Sequence, residues 1–401
     1  MATLALTASR GRETALIVLV SAAHFFSHLY ILILPPLFPV LAAELGAGVA
    51  ALGFALALMN LVTILAQPPL GFLVDRLGAG PILVLGHCAM AAGIGAIALV
   101  SSYPALLLCV LLAGLGNAVY HPADYALLAA GVGRERRARA FAVHTFGGFL
   151  GFAAAPAAIV PLATACGWRW ALAIAAGLGL LLGLVLAGAR ALRASAPAEA
   201  GPGRARTAVD SRLLASRPIL LALGFFFLLA ASNAGITGFT VVVLERLRGL
   251  DLLAASFPLS VFLFASAAGV LFGGWLADRA RRHATIVGVC ALLVAAQALA
   301  VAFLALPYPL LLGLFLSSGF AAGTIAPARD MLVAAVTPAG ATGRVFGFVM
   351  IGFNLGGLFA PPLYGFLVDA GRAELVFLLV AGASLLAIAT VRGTRADAKA
   401  P

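Results

Sequence analysis

The sequence predicts an all-α integral membrane protein whose twelve transmembrane helices form two six-helix, pseudo-symmetric halves. Three observations predict it. First, 63% of the 401 residues are apolar and only 10% are charged, and the mean hydropathy is +1.13; a soluble globular chain carries about 45–50% apolar and about 25% charged residues. Second, the apolar residues come in blocks of about 20 or more, the length of a helix that crosses a bilayer. Third, polar positions in the first half of the chain recur in the second at near-constant spacing, as expected for a duplicated unit. Alternating segments of about 10 residues, the pattern of an outer-membrane barrel, are not found.

Taken in order, the apolar cores are 15–42, 50–74, 82–101, 104–131, 139–163, 169–190, 218–244, 253–277, 284–305, 309–335, 343–368 and 373–391. The first is too long for a signal-peptide core and has no small-residue cleavage site near its start, so it is expected to remain as a spanning helix. Residues 191–217, rich in Pro, Gly, Ala and Arg, separate a six-helix unit at 1–190 from one at 218–401. Such a mixture buries too little surface to fold and reads as a flexible linker.

An even helix count puts both termini on one side. That side collects 20 of the 25 basic residues; the other has Arg169, Arg246, Arg248 and Arg372, and Arg329 lies within a helix. By the positive-inside rule the termini and the linker are cytoplasmic, in a membrane of the bacterial inner-membrane type. The net charge of +11 is therefore a record of topology, and a nucleic-acid partner is not expected. Cys88, Cys109, Cys166 and Cys290 show no metal or redox spacing and read as small packing residues.

The repeat is explicit at several points. Gly71-Phe-Leu-Val-Asp75-Arg76 recurs as Gly274-Trp-Leu-Ala-Asp278-Arg279, and Asp124, Arg139, Gly151 and Pro156 match Asp330, Arg344, Gly356 and Pro361, all at offsets of 203 to 206. The segment Gly71 to Gly78 and its copy resemble the loop signature of the major facilitator superfamily, and the resemblance extends over essentially the whole chain. Asn60 to Gly71, Gly114 to Pro122 and Gly147 to Pro156 resemble the branch that includes the fosmidomycin-resistance exporters. The resemblance implies secondary transport by alternating access and a cavity lined by helices one, four, seven and ten. It also implies gate roles for Asp75, Arg76, Asp278 and Arg279, and acidic latches near cytoplasmic helix ends that include Asp330.

An ionisable group in hydrocarbon costs at least about 2.5 kcal/mol, so each one within a span is a functional candidate. His24 and His28 stack on one face of helix one. His121 and Asp124 share a face of helix four, and His144 enters helix five at a similar depth. A carboxylate beside imidazoles suits a proton carrier. Two alternatives stand beside that reading: Asp124 as a second gate latch, and the His24/His28 pair as a metal site, disfavoured because that helix supplies no carboxylate or cysteine. No metal or cofactor is expected. Tyr30, Asn60, Asn117, Tyr120, Asn233, Thr237 and Arg329 are candidates to line a substrate cavity, Arg329 toward an anionic group unless Asp330 neutralises it locally. The glycines of helices five and eleven read as packing and bending points.

No GxxxxGK[ST] loop is present, so ATP is not the energy source. The sequence therefore predicts a non-enzymatic, proton-coupled transporter of a small organic solute, acting as a monomer in the bilayer. Efflux by antiport leads; uptake by symport and an integral-membrane enzyme are the alternatives.

Overall fold

A computed structural model describes residues 2–193, 211–280, 282–338 and 341–397. Most of the expected linker (194–210) and Lys399 lie outside the described residues. Twelve helices among the described residues are long and apolar enough to cross a membrane: α1 (Arg10–Leu45), α2 (Val49–Leu77), α3 (Ala79–Ile97), α4 (Tyr103–Gly131), α5 (Arg134–Cys166), α6 (Trp168–Gly188), α7 (Arg217–Arg248), α8 (Leu252–Arg279), α9 (His283–Phe303), α10 (Tyr308–Ala335), α11 (Arg344–Asp369) and α12 (Glu374–Val391).

Two of the expected continuous helices are broken. In α1 the α-helix stops at Ile31, and a 3-10 turn at Pro35–Leu37 precedes a short helix at Phe38–Leu45, because two successive prolines remove the donors that the preceding turn needs. In α4 the segments Tyr103–Asn117 and Tyr120–Gly131 meet at Ala118 and Val119, just where Pro122 withholds its hydrogen bond from the carbonyl of residue 118. The Pro68-Pro69 and Pro361-Pro362 pairs stay inside continuous helices, a tolerance found where neighbouring helices and side chains re-satisfy the freed backbone.

The chain forms two compact units, one of Met1–Leu37, Glu44–Gly46 and Leu58–Arg204, the other of Phe38–Ala43, Ala47–Ala57 and Ala205–Pro401. Within the first unit α5 lies on α1 through glycine: a Cβ on Gly147 would meet the Ser21 carbonyl at 3.0 Å, and one on Gly151 would meet that of Phe25. Within the second, Gly352 and Gly356 of α11 face the carbonyls of Leu223 and Phe227 on α7 in the same manner. Since lipid is as apolar as leucine, such close backbone approach supplies the dispersion contacts that hold membrane helices together. Arg136 at the start of α5 binds Glu13 at 2.9 Å and the Thr14 hydroxyl at 3.1 Å, tying the first turns of α1 and α5 together.

Candidate functional site

Asp124 is fully buried in the first unit. Pro122 and the break before Tyr120 start a new helix there, and the register brings Asp124 under α1 and α5. His144 Nε2 donates to Asp124 Oδ2 at 2.9 Å, and His24 Nδ1 lies 3.4 Å from the same oxygen. The His24 ring stacks on His144 with centroids 3.8 Å apart, and His28 and His121 lie 4.4 and 5.5 Å from His24. Space for this crowd comes from Gly148, where a Cβ would fall 2.9 Å from both His24 and His28. Two imidazoles thus meet one carboxylate and two more adjoin His24, the five side chains being contributed by α1, α4 and α5.

Asp124 Oδ1 and the Nδ1 atoms of His24, His28 and His144 are buried without a hydrogen-bond partner among the described residues. Desolvated polar atoms left this way cost about 1–3 kcal/mol each, which stability alone does not explain. An unpaired carboxylate at this depth would be far more expensive, and the contact with His144 offsets that cost. Tyr125 stands 5.7 Å from His121 and 5.8 Å from His144. Both His121 and Tyr125 are exposed on the surface of the unit, whereas His144 and Asp124 are buried. The cluster therefore has an open end and a closed end.

His24, Asp124 and His144 are a group whose ligand atoms lie within 4.8 Å of one another, close enough in principle for a metal. Their geometry fits one poorly. An imidazole lone pair lies in the ring plane, and the His24 and His144 rings are nearly parallel, 22° apart and stacked. An ion about 2.0–2.1 Å from both nitrogens would sit well out of at least one plane. A proton has no such constraint.

The other candidates separate clearly. Tyr120 is buried and its hydroxyl meets His87 Nδ1 at 2.8 Å, while His87 Nε2 meets the Gly179 carbonyl at 2.8 Å. A carbonyl only accepts, so Nε2 carries a proton, and with the Tyr120 hydroxyl on Nδ1 the triad is a closed structural link in which both ring nitrogens are satisfied. Tyr30 is buried as well and donates to the Ala175 carbonyl at 2.9 Å. These two tyrosines spend their hydroxyls on helix packing within the unit. Asn117 Nδ2 donates to the Thr63 hydroxyl at 3.2 Å, and Asn60 is half-buried. Asn233 is exposed and Thr237 donates to its carbonyl at 2.9 Å, while Ser232 turns inward to Ser384 at 2.9 Å. On α7, Asn233 and Thr237 are thus accessible, while Ser232 is used in packing against Ser384.

At the matching depth of the second unit the chemistry is different. The shared glycine contacts place Phe226 where His24 stands and Val349 where His144 stands, both inside an apolar core with Ile325 and Ala328. Asp330 has no imidazole shell; it pairs with Arg329 at 3.0 Å with its side chain 52% exposed, and Arg329 lies over Phe226 at 4.7 Å. Arg329 and Asp330 thus form a local ion pair in this structure. Asp75, Arg76, Asp278 and Arg279 are exposed near the ends of α2 and α8, with Arg279 over the Trp275 ring at 4.7 Å. Sequence reading missed Gln297, buried in α9 with both amide atoms unpartnered among the described residues; an amide in an apolar run was the available signal. It missed Asp369 too, at the end of α11.

The Fosmidomycin resistance protein of Escherichia coli (strain K12) is 27% identical over 382 residues, covering 93% of this chain and 91% of the relative. In fold, the chain is similar to the crystal structure of a bacterial homolog of the human lysosomal transporter Spinster, with TM-score 0.80, 15% identity and coverage of 96% and 97%. It is also similar to the crystal structure of a mutant of the nucleoside transporter NupG, with TM-score 0.78, 16% identity and coverage of 94% and 99%. The family model of the Major Facilitator Superfamily matches residues 20–305 and 225–400. A duplicated twelve-helix chain with a polar centre buried in its first half is thus a non-enzymatic transporter that belongs to the Major Facilitator Superfamily.

Proposed function

We propose that the protein exports a small organic solute across the bacterial inner membrane by alternating access, exchanging it for protons at the Asp124 cluster. The observation that carries this reading is the full burial of Asp124 against His144 and His24. With one proton the Asp124–imidazole group is electrically neutral, and without it a single negative charge remains. Those two states differ by several kcal/mol in their cost in a low-dielectric interior, enough to couple occupancy to conformation. His121 and Tyr125, at the exposed end, are the route by which the proton enters, and His28 completes the shell. Asn60, Asn117, Asn233 and Thr237 remain as cavity residues, while Tyr30, Tyr120 and Arg329 are assigned to packing and local pairing. Asp75, Arg76, Asp278 and Arg279 act at the gates, with the termini cytoplasmic and the monomer sufficient for transport.

Export is favoured over uptake because the 27% identity to a resistance protein spans nearly the whole chain. Inside-out vesicles test it. With the lumen acidified, the protein should accumulate fosmidomycin, the probe used, and nigericin should abolish the accumulation. Accumulation only when the lumen is alkaline would establish symport instead.

A further inference from the structure

The end of α11 repeats the end of α2. Pro68-Pro69-Leu70-Gly71-Phe72-Leu73-Val74-Asp75 recurs as Pro361-Pro362-Leu363-Tyr364-Gly365-Phe366-Leu367-Val368-Asp369, with one inserted residue. By helix parity α2 ends on the membrane face that holds the termini and α11 ends on the opposite face. The same peptide therefore stands at both faces, once in each repeat.

Asp369 has a specific partner. Its Oδ1 accepts from the Val49 N–H and its Oδ2 from the Ala50 N–H, both at 2.8 Å, within the unit that contains residues 47–57 and α11. Those are the first two amides of α2, which have no partner inside their own helix. They sit at the positive end of its dipole, where a carboxylate makes charge-assisted bonds. Nothing local can replace it: α2 is preceded by Gly46-Ala47-Gly48, with no side chain able to cap. A Cβ on Gly48 would fall 2.5 Å from Asp369 Oδ2, so the glycine that denies α2 its own cap is also the one that admits Asp369. Below this contact Gly53 faces the Pro361 carbonyl, and a Cβ on Gly365 would fall 2.5 Å from Ala50 Cα. Asp369 itself is exposed, so water is at hand to take over the amides when the contact opens.

We propose that Asp369 is a latch on the membrane face opposite the termini, closing that face by capping α2 from α11 and releasing it in each transport cycle. The proposal rests on alternating access. Gly48 and Gly365 are its fitted seat, and its strength is that of an exposed charge-assisted cap, reversible on the time scale of a conformational step.

The test must separate a latch from a mere helix cap. In the full chain with native cysteines replaced, spin labels at Ala165 and Ala305, exposed at the ends of α5 and α9 on that face, report its opening in proteoliposomes. Asp369→Ala should raise the population of long distances by about threefold or more and lower the melting temperature. Adding Gly48→Ser to Asp369→Ala supplies a local cap. A latch predicts that the double variant recovers the melting temperature but keeps the open-shifted distances and slowed exchange of fosmidomycin. If the double variant also recovers wild-type distances and exchange, or if Asp369→Asn and Asp369→Ala leave the distances unchanged, Asp369 is not a latch. A wild-type protein whose distances ignore both pH and fosmidomycin would remove alternating access and the latch together; one that responds while Asp369→Ala matches it would remove the latch alone.

Discussion

At the scale of residues, His87 and His144 stand in different settings, and the hydrogen bonds distinguish them. His87 has both ring nitrogens satisfied, by Tyr120 and Gly179. His144 has Nε2 on Asp124 and Nδ1 with no partner among the described residues. His87→Ala should therefore lower stability by about 1–3 kcal/mol, through an unpaired hydroxyl and carbonyl, and leave the pH profile of transport unchanged. Under the proposed coupling, His144→Gln should preserve much of the fold and shift that profile, because it removes the imidazole that bonds Asp124. Thermal melting and initial rates across pH, measured on both variants, check the pair.

At the scale of elements, glycine sets how closely α5 approaches α1 and α11 approaches α7. Gly148→Ala would press a methyl group to within 2.9 Å of two imidazoles, and overpacking of this kind costs about 1–3 kcal/mol. It should also impair proton-driven transport, since His24 must move off His144. Gly352→Ala, set against the Leu223 backbone in an apolar region, should cost similar stability with a smaller effect on coupling at a matched temperature. Circular-dichroism melts and transport rates on the two variants decide it.

Much at this scale was legible from sequence: all twelve helices, the repeat and the glycine-rich faces follow from apolar block length and spacing. The breaks in α1 and α4 were not, because proline in a membrane helix sometimes breaks it and sometimes does not, and only neighbouring helices decide. Nor was the identity of Asp124's partner. His121 shares its helical face, yet His144, 20 residues on, makes the bond, since the register between α4 and α5 is a tertiary property. Asp330 matched Asp124 by position, and only Phe226 and Val349 at the neighbouring sites reveal that its surroundings are apolar.

At the scale of the whole molecule, duplication has left two units of similar architecture and unlike chemistry, an imidazole–carboxylate centre in one and an apolar core with a surface ion pair in the other. Under the proposed coupling, proton binding would belong to the repeat that carries the imidazole–carboxylate centre. The positive-inside distribution adds a prediction about orientation: a phosphatase reporter fused after the last residue should be inactive, and activity in the periplasm would reverse the topology.

The most direct measurement compares wild type with Asp124→Asn in proteoliposomes, recording both fosmidomycin transport driven by a pH gradient and fosmidomycin exchange at equal pH. The account predicts that the variant loses at least about 90% of the driven rate, more than about 1.4 kcal/mol of coupling, while exchange persists, because the amide mimics the protonated acid and leaves only the solute to cycle. A variant that keeps the wild-type driven rate would contradict the assignment of the proton to Asp124.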